Sequence, residues 1–154
     1  MRCPRNLYLC LAVATALILV ATDVVAAQEI PGCSGSTDKA EWSRYKQRFM
    51  SKQGRIIDTG NGGVSHSEGQ GFGMRLAVHY GERDDFERIW QWTRQHLYVR
   101  DDELAAWRWR PDSDPHIDDK NNATDGDLFI AWSLALAGRC WDNQDYLQAA
   151  RRIA

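Results

Sequence analysis

Five stretches of this chain carry apolar residues at the three- and four-residue spacing of an amphipathic helix, and this pattern limits the fold more than any other feature. In the first stretch, Trp42, Tyr45 and Phe49 share one helical face. No stretch shows the alternation of a half-buried strand. We therefore predict an all-α domain of helical hairpins, arranged as a repeat or a barrel. The predicted helices cover about residues 38–50, 67–80, 84–96, 124–138 and 143–154.

The first 27 residues differ from the rest of the 154-residue chain. Arg2 and Arg5 precede an apolar run at residues 7–20, and small residues follow up to Ala27. A charged start, a short apolar core and a small-residue end are typical of a secretory signal peptide. The apolar run is shorter than the roughly 20 residues of a membrane-spanning helix. We expect cleavage near Ala27 and a secreted or periplasmic protein with no membrane segment; an uncleaved N-terminal anchor is the alternative.

Residues 28–37, QEIPGCSGST, form a flexible lead-in with turn residues, and residues 38–154 form one domain. The formal net charge of −2 gives no indication of nucleic acid as a partner. Cleavage of the signal would leave two cysteines, Cys33 and Cys140. In an oxidising compartment they could form a disulfide, or Cys140 could be a small buried residue of a helix. The sequence leaves both interpretations open.

The segment SHSEGQGFGM, residues 65–74, places a single carboxylate, Glu68, among three glycines. Glycine disfavours helices, yet an apolar, helix-like run follows at once. Ser67 and Gln70 have the spacing of a capping box, which would start a helix near Ser67. Because capping does not require the glycines, we interpret them as making room for a substrate to approach Glu68.

The segment NNATDGDL, residues 121–128, presents Asp125 and Asp127 at the start of another predicted helix. Thr124 and Asp127 repeat the cap spacing, and acids favour helix N-termini. Capping alone would explain Asp127. Together with Glu68, however, these acids fit the carboxylate pair of glycoside hydrolysis, in which one acid protonates the leaving oxygen and a second carboxylate acts on water or on the sugar.

Both segments resemble the two hallmark segments of glycoside hydrolase family 8. GRIIDTGNGGVSHSEGQG and DKNNATDGDL are most similar to the endoglucanases associated with bacterial cellulose synthesis, and the resemblance covers residues 38–154. Phe72 stands where tyrosine is common, and Ala135 where a larger aliphatic residue is usual. The resemblance implies an (α/α)6 barrel, a six-hairpin toroid, of which residues 38–154 would be the incomplete N-terminal portion.

The resemblance also implies hydrolysis of internal β-1,4 bonds of cellulose-type glucans with inversion and without a metal or cofactor. Glu68 matches the general acid and Asp125 the second catalytic carboxylate. The base that activates water would be a later aspartate, beyond residue 154, and Asp125 would then bind and distort the sugar. As substrate-binding residues we name two tryptophans of the loop before the second segment and two side chains beside the acids: Trp107, Trp109, Asp127 and His66.

Other substrates stay open, because the same family includes chitosanases, xylanases and mixed-linkage glucanases. An inactive glycan-binding fragment is a further alternative, since the seven tryptophans suit either a sugar-binding cleft or a core. The expected partners are a β-glucan polysaccharide and, functionally, a bacterial cellulose synthase complex. If the barrel prediction holds, residues 28–154 alone would expose helix faces meant for neighbours and would fold poorly.

Overall fold

A computed structural model of the chain describes Cys33, residues 35–36 and residues 38–154. The predicted signal peptide, residues 1–27, lies outside the described residues, as does most of the predicted lead-in. Within the described part, no helix is both long enough and apolar enough to cross a membrane. The helices are α1 (Lys39–Phe49), α2 (Ser67–His79), α3 (Arg83–Leu97), α4 (Thr124–Cys140) and α5 (Gln144–Ile153). All five predicted helices are therefore confirmed.

Two very short strands, which the sequence did not predict, form an antiparallel ribbon in front of α2. They are β1 (Ser65–His66) and β2 (Arg108–Trp109). The backbone N–H of Ser67 donates to the carbonyl of Trp107 at 3.0 Å and extends the ribbon by one hydrogen bond. The ribbon ties the long loop before α4 to the start of α2. Strands of two residues are too short to show an alternating pattern in the sequence.

Helices α2 and α4 run parallel and pack closely along one side of each other. Gly126 contacts Ser67 at the first turns, and the Ser133 hydroxyl donates to the Gly71 carbonyl at 3.1 Å further along. A Cβ atom at Gly71 would lie only 2.6 Å from the Cβ atom of Phe129. The two helices can therefore pack this closely only because residue 71 is a glycine.

Gly73 also faces protein. A Cβ atom there would lie 2.7 Å from the side chain of Ile56, which the loop before β1 places against α2. The interpretation that the glycines make room for substrate is therefore wrong for Gly71 and Gly73, since both make room for neighbouring elements. At Gly69 a Cβ atom would meet Ile56 at an ordinary 3.8 Å.

The five helices share one hydrophobic core, in which α3 lies antiparallel to α2 and α5 antiparallel to α4. Helix α1 joins this core through Trp42, whose ring stacks with Tyr80 at 5.7 Å between centroids. Burial of apolar area at about 25 cal/mol per Å² supplies the main stabilising term. The large side chains that are fully buried include Trp42, Met74, Phe86, Ile89, Leu97, Ile130 and Leu134.

The starts of α2 and α4 differ from the two predicted capping boxes. Their N-cap residues are His66 and Ala123, and neither makes a side-chain cap hydrogen bond. Gln70 is fully buried instead: its Oε1 accepts from the Ile56 N–H at 2.6 Å and its Nε2 donates to the Thr93 hydroxyl at 2.8 Å. Both capping-box predictions are wrong, because the helices begin at Ser67 and Thr124, which are first helical residues and not N-caps. In the first box, buried partners also bind the Gln70 side chain.

Cys33 and Cys140 form a disulfide, which decides between the two interpretations of these cysteines. Their Cα atoms lie 5.2 Å apart although 107 residues separate them in the sequence. The disulfide fastens the segment before α1 to the C-terminal end of α4, so that a long part of the chain is enclosed in one covalent loop.

Candidate active site

Glu68 and Asp125 lie in neighbouring first turns of the parallel helices α2 and α4. Each is the second residue of its helix, and each side chain is exposed. A Cβ atom at Gly126 would lie 2.9 Å from the backbone nitrogen of Glu68. With standard bond lengths, this contact places the Cα atoms of Glu68 and Asp125 no more than about 10 Å apart. The structure therefore brings together the two acids that the sequence singled out.

His66 and Trp107 lie together beside the start of α2. Their rings stack at 5.8 Å between centroids with an angle of 16° between planes. The Nδ1 atom of His66 lies 3.8 Å from a carboxylate oxygen of Asp58, and the Trp107 indole N–H donates to Asp119 at 2.9 Å. Both rings are half-buried, so one side of the pair is fixed by protein groups. His66 precedes Glu68 by two residues, which places this pair at the edge of the acidic site.

Two arginines and an aspartate fix the loop around Trp107. The Arg108 guanidinium lies 4.4 Å from the centroid of the Trp107 ring. Asp118 pairs with Arg110 at 2.9 Å and with Arg108 at 3.1 Å, and the hydrogen bonds from Arg110 and then Arg108 lower the pKa of Asp118. A groove of about 320 Å³ runs along this segment and is lined by Asn61, Gly62, Val64, Arg108, Arg110, Pro111 and Asp112.

Trp109 lies in a different cluster of side chains. The Arg55 guanidinium is 4.7 Å from the centroid of its ring and the His116 ring is 4.4 Å from it. Trp92 makes an edge contact at 5.7 Å. Protein groups therefore surround much of the Trp109 ring, and the structure does not pair it with Trp107. A substrate contact by Trp109 stays a prediction.

Asp127 is buried, in contrast to the two exposed acids, with only 4% of its surface accessible. Its Oδ1 accepts from the Ala105 N–H at 3.0 Å, and its Oδ2 accepts from the Asn122 side-chain amide at 2.8 Å. Burial, followed by the charge of Asp127, raises the pKa of the nearby Tyr98. Asp127 thus anchors the loop that carries Trp107 to the start of α4. Because protein donors occupy both oxygens, the structure gives no support to its predicted role as a substrate contact.

Phe72 and Trp132 are exposed aromatic residues that the sequence analysis did not assign to the site. Their surfaces are 42% and 51% accessible. Phe72 follows Glu68 by four residues and Trp132 follows Asp125 by seven, so each aromatic ring lies on the same helical face as an acid. That spacing is the signal by which they could have been found. They extend an aromatic surface along α2 and α4 away from the two carboxylates.

The arrangement can support proton transfer next to a bound sugar. A protonated acid can donate to an oxygen leaving group while a second carboxylate accepts a hydrogen bond or a proton. The flat rings beside the acids suit the apolar faces of a sugar, and the arginines beyond them can donate to hydroxyl groups. In the part of the chain that the structure describes, His, Cys, Asp and Glu side chains form no group of three that could hold a metal ion.

The sequence model of the family described as Glycosyl hydrolases family 8 matches residues 10–154 of this chain. The chain belongs to this family. An endoglucanase from Cellulomonas uda is 50% identical over 112 residues, which cover 73% of this chain and 31% of that protein. Endoglucanase Cel10 from Klebsiella pneumoniae has 49% sequence identity and a TM-score of 0.73, covering 74% of this chain and 37% of that one. For endo-β-1,4-glucanase CMCax from Acetobacter xylinum the identity is 44% and the TM-score 0.71, covering 74% and 36%.

The chain thus spans about a third of the length of the relatives that it matches. The solved family 8 endoglucanases are (α/α)6 barrels, and the described helices form part of such a barrel. The predicted family and fold class are therefore confirmed. The parallel helices α2 and α4, each packed against an antiparallel successor, correspond to two successive hairpins of this architecture.

Proposed function

We propose that this chain is part of an exported endo-β-1,4-glucanase that hydrolyses internal bonds of cellulose-type glucans with inversion. The observation that carries the proposal is the pair of exposed acids, Glu68 and Asp125, in adjoining first turns of α2 and α4. The endoglucanases of Cellulomonas uda and Acetobacter xylinum, which are similar over this stretch, support a β-1,4-glucan as the substrate.

In this proposal Glu68 is the general acid. Its protonated carboxyl group donates the proton to the glycosidic oxygen while the bond between that oxygen and the anomeric carbon breaks. Water attacks the anomeric carbon from the opposite face of the ring, which inverts the configuration. Asp125 holds hydroxyl groups of the sugar at the cleaved bond and favours its distorted, oxocarbenium-like form. We assign the activation of water to a later aspartate, which the family resemblance implies beyond residue 154.

The surroundings of the acids suit an extended polymer. The stacked rings of His66 and Trp107 lie at one edge of the site, and the groove beside the β1–β2 ribbon continues past Arg108 and Arg110. On the other side, the exposed ring of Phe72 lies one helical turn from Glu68. Aromatic faces on both sides of the acids, with arginine donors on one side, would hold several sugars of one chain, as cleavage of an internal bond requires.

Export is supported by the disulfide between Cys33 and Cys140, since disulfides persist in oxidising compartments. N-terminal sequencing of the protein from the cell envelope or medium should find a start near residue 28. An intact Met1 on cytoplasmic protein would contradict export. A functional association with cellulose synthase is proposed on the resemblance of the two motifs alone. Deleting the gene should then change the amount or the chain length of the cellulose produced, and unchanged cellulose would count against the association.

The test of the glucanase proposal uses the protein with whatever sequence its gene encodes after Ala154. Glu68→Gln keeps the shape of the side chain but cannot donate the proton. We expect kcat on soluble cellulose to fall by about 10²–10⁴-fold while glucan binding, measured by calorimetry, is retained. Glu41→Gln, at an exposed acid of α1, is the matched control and should leave kcat unchanged.

The product and the substrate panel test the finer parts of the proposal. NMR of fresh product should show the α-anomer first, because inversion of a β-linkage gives that configuration. If xylan or chitosan is hydrolysed faster than soluble cellulose, that polysaccharide, and not a cellulose-type glucan, is the preferred substrate. A wild-type rate in Glu68→Gln would remove Glu68 from the mechanism.

A further inference from the structure

We infer that Ser67 and Gly126 are positioning residues that together set the distance between the carboxylates of Glu68 and Asp125. Each lies directly beside one of the acids in the sequence, and they touch each other where the first turns of α2 and α4 meet. This inference rests on the proposed function and adds to it a device that controls the geometry of the site. We refer to the Ser67–Gly126 contact as the spacer.

The spacer leaves no room for a larger residue. A Cβ atom at Gly126 would lie 2.1 Å from the Ser67 hydroxyl oxygen, 2.8 Å from the Ser67 Cβ atom and 2.9 Å from the Glu68 nitrogen. Real Cβ atoms essentially never show separations below 3.0 Å, so one first turn would have to move relative to the other. Because Glu68 and Asp125 belong to those same turns, their carboxylates would move with them.

Ser67 contributes contact rather than hydrogen bonding. Its hydroxyl oxygen is completely buried and finds no hydrogen-bond partner among the described residues. The oxygen instead fills the gap over Gly126, and its size therefore fixes how closely the two turns approach.

The loop at residues 105–107 holds the two turns together from outside. The Ala105 N–H donates to Asp127 in the first turn of α4 at 3.0 Å, and the Trp107 carbonyl accepts from the Ser67 N–H of α2 at 3.0 Å. The spacer therefore keeps the turns apart while the loop keeps them together. Two opposing constraints of this kind define a distance, whereas either one alone would set only a limit.

Gly126→Ala tests the spacer in the protein as its gene encodes it. The added methyl group should shift the carboxylates, and a misplacement of about 1 Å can cost on the order of 100-fold in rate. We expect kcat to fall by about that factor with little change in KM, because sugar contacts further along the cleft remain. A general loss of binding would raise KM instead.

Gly138→Ala is the matched control. Gly138 lies on the same helix near its other end, and a Cβ atom there would lie 2.7 Å from the Leu147 side chain. Both substitutions should lower the melting temperature, but only Gly126→Ala should lower kcat at a temperature where both variants are folded. An equal loss of kcat in Gly138→Ala would overturn the inference, since strain anywhere in α4 would then suffice.

A compensating substitution tests the contact itself. Adding Ser67→Gly to Gly126→Ala removes the Ser67 atoms that the new methyl group would meet, so kcat should recover in part. The contact with the Glu68 nitrogen at 2.9 Å remains in this double variant, so only partial recovery is expected. No recovery would mean that this backbone contact alone shifts the turns, and would remove Ser67 from the spacer. If Gly126→Ala does not fold, Ser67→Thr enlarges the same contact from the other side and should lower kcat with the same small change in KM. An unchanged kcat in that folded variant would overturn the spacer.

Crystal structures of the wild type and of the spacer variant separate this inference from the proposed function. They measure the distance between the Glu68 and Asp125 carboxyl carbons without any assay. A protein that hydrolyses no polysaccharide but shows an altered distance in the variant would refute the function and retain the spacer. An unchanged distance would refute the spacer whatever the activity.

Discussion

Asp125 and Asp127 lie two residues apart in the first turn of α4, yet their carboxylates have opposite surroundings. Asp125 is exposed, whereas Asp127 is buried and accepts hydrogen bonds from Ala105 and Asn122. The exposed acid is available to a ligand, and the buried one holds the loop. At the scale of single residues, Asp127 therefore has a structural role, while the exposed carboxylate of Asp125 is left for the proposed chemistry.

Asp127→Asn should lower stability because one carboxylate oxygen becomes an amide nitrogen, which cannot accept the hydrogen bond from Asn122. A hydrogen bond to a charged group contributes about 1.5–3 kcal/mol, and we expect the free energy of unfolding in urea to fall by about that amount. The matched variant Asp125→Asn should change it by no more than about 0.5 kcal/mol, as for other surface substitutions, while abolishing most of the hydrolysis. Equal stability of Asp127→Asn and the wild type would contradict the supporting role.

The positions of Glu68 and Asp125 could be predicted from sequence because each lies in a distinctive segment at a helix start. The role of Asp127 could not, since its backbone partner Ala105 is 22 residues away and only the fold brings the two together. The same limit applies to Gln70, whose capping spacing was overridden by buried partners from a loop and from α3. Local spacing predicts local bonds, and a competing tertiary partner is not visible in it.

Among the elements, the helices were predictable and the β1–β2 ribbon was not. The apolar spacing of three and four residues is a local property of each helix and places its start and end to within a few residues. The ribbon forms only because the long loop before α4 returns to the start of α2. A contact between segments so far apart in the sequence leaves no local pattern from which it could be predicted. For the same reason the sequence could not show that Trp107 stacks on His66 while Trp109 joins Arg55 and His116.

The buried carboxylate of Asp85 is one of the groups that attach α1 to α3. It accepts hydrogen bonds from the Trp42 indole at 2.7 Å, from Lys46 at 2.8 Å and from Arg88. Burial opposes its ionisation, but the hydrogen bonds from Lys46, Arg88 and Trp42 outweigh burial and lower the pKa of Asp85. Asp85 is therefore charged in the folded protein at neutral pH, where it holds two helices together.

Because the pKa of Asp85 is lower in the folded than in the unfolded chain, its stabilising contribution is complete above the ordinary aspartate pKa of about 4. The contribution is lost as the pH falls from there through the folded-state value. Asp85→Asn should reduce the free energy of unfolding at pH 7 by about 1.5–3 kcal/mol and should remove this component of the acid sensitivity. Urea unfolding measured from pH 7 down to about pH 3 checks both effects.

Asp84→Asn is the control for this prediction, because Asp84 is the exposed neighbour in the same turn of α3. It should keep both the stability at neutral pH and the acid sensitivity of the wild type. If Asp85→Asn instead loses stability on acidification as steeply as the wild type, other carboxylates account for the acid sensitivity.

At the scale of the whole molecule, the chain covers about a third of the length of its barrel relatives, and two of its helices carry an exposed apolar face. Leu128 and Trp132 are 59% and 51% accessible on α4. With Leu147 and Ala150 of α5 they border an apolar groove of about 360 Å³. In a barrel of successive hairpins, the next hairpin packs against such a face. The apolar groove therefore fits the place of α4 and α5 in a larger ring of helices.

The disulfide between Cys33 and Cys140 should stabilise the molecule as a whole. It closes a loop across a sequence separation of 107, which contains α1 to α4. Closing so long a loop restricts mainly the unfolded chain, and removal of such a native disulfide typically costs about 2–5 kcal/mol. Replacing both cysteines by serine should lower the free energy of unfolding by about that amount. Since Cys140 lies at the opposite end of α4 from Asp125, kcat at a temperature well below unfolding should stay unchanged.

Reduction provides the internal control for the disulfide. Dithiothreitol should shift the urea midpoint of the wild type towards that of the double serine variant and leave the variant itself unaffected. Thiol titration under denaturing conditions confirms that reduction has occurred. A wild-type midpoint that stays in place after verified reduction would show that packing of the lead-in and α4, rather than the covalent bond, carries the stability.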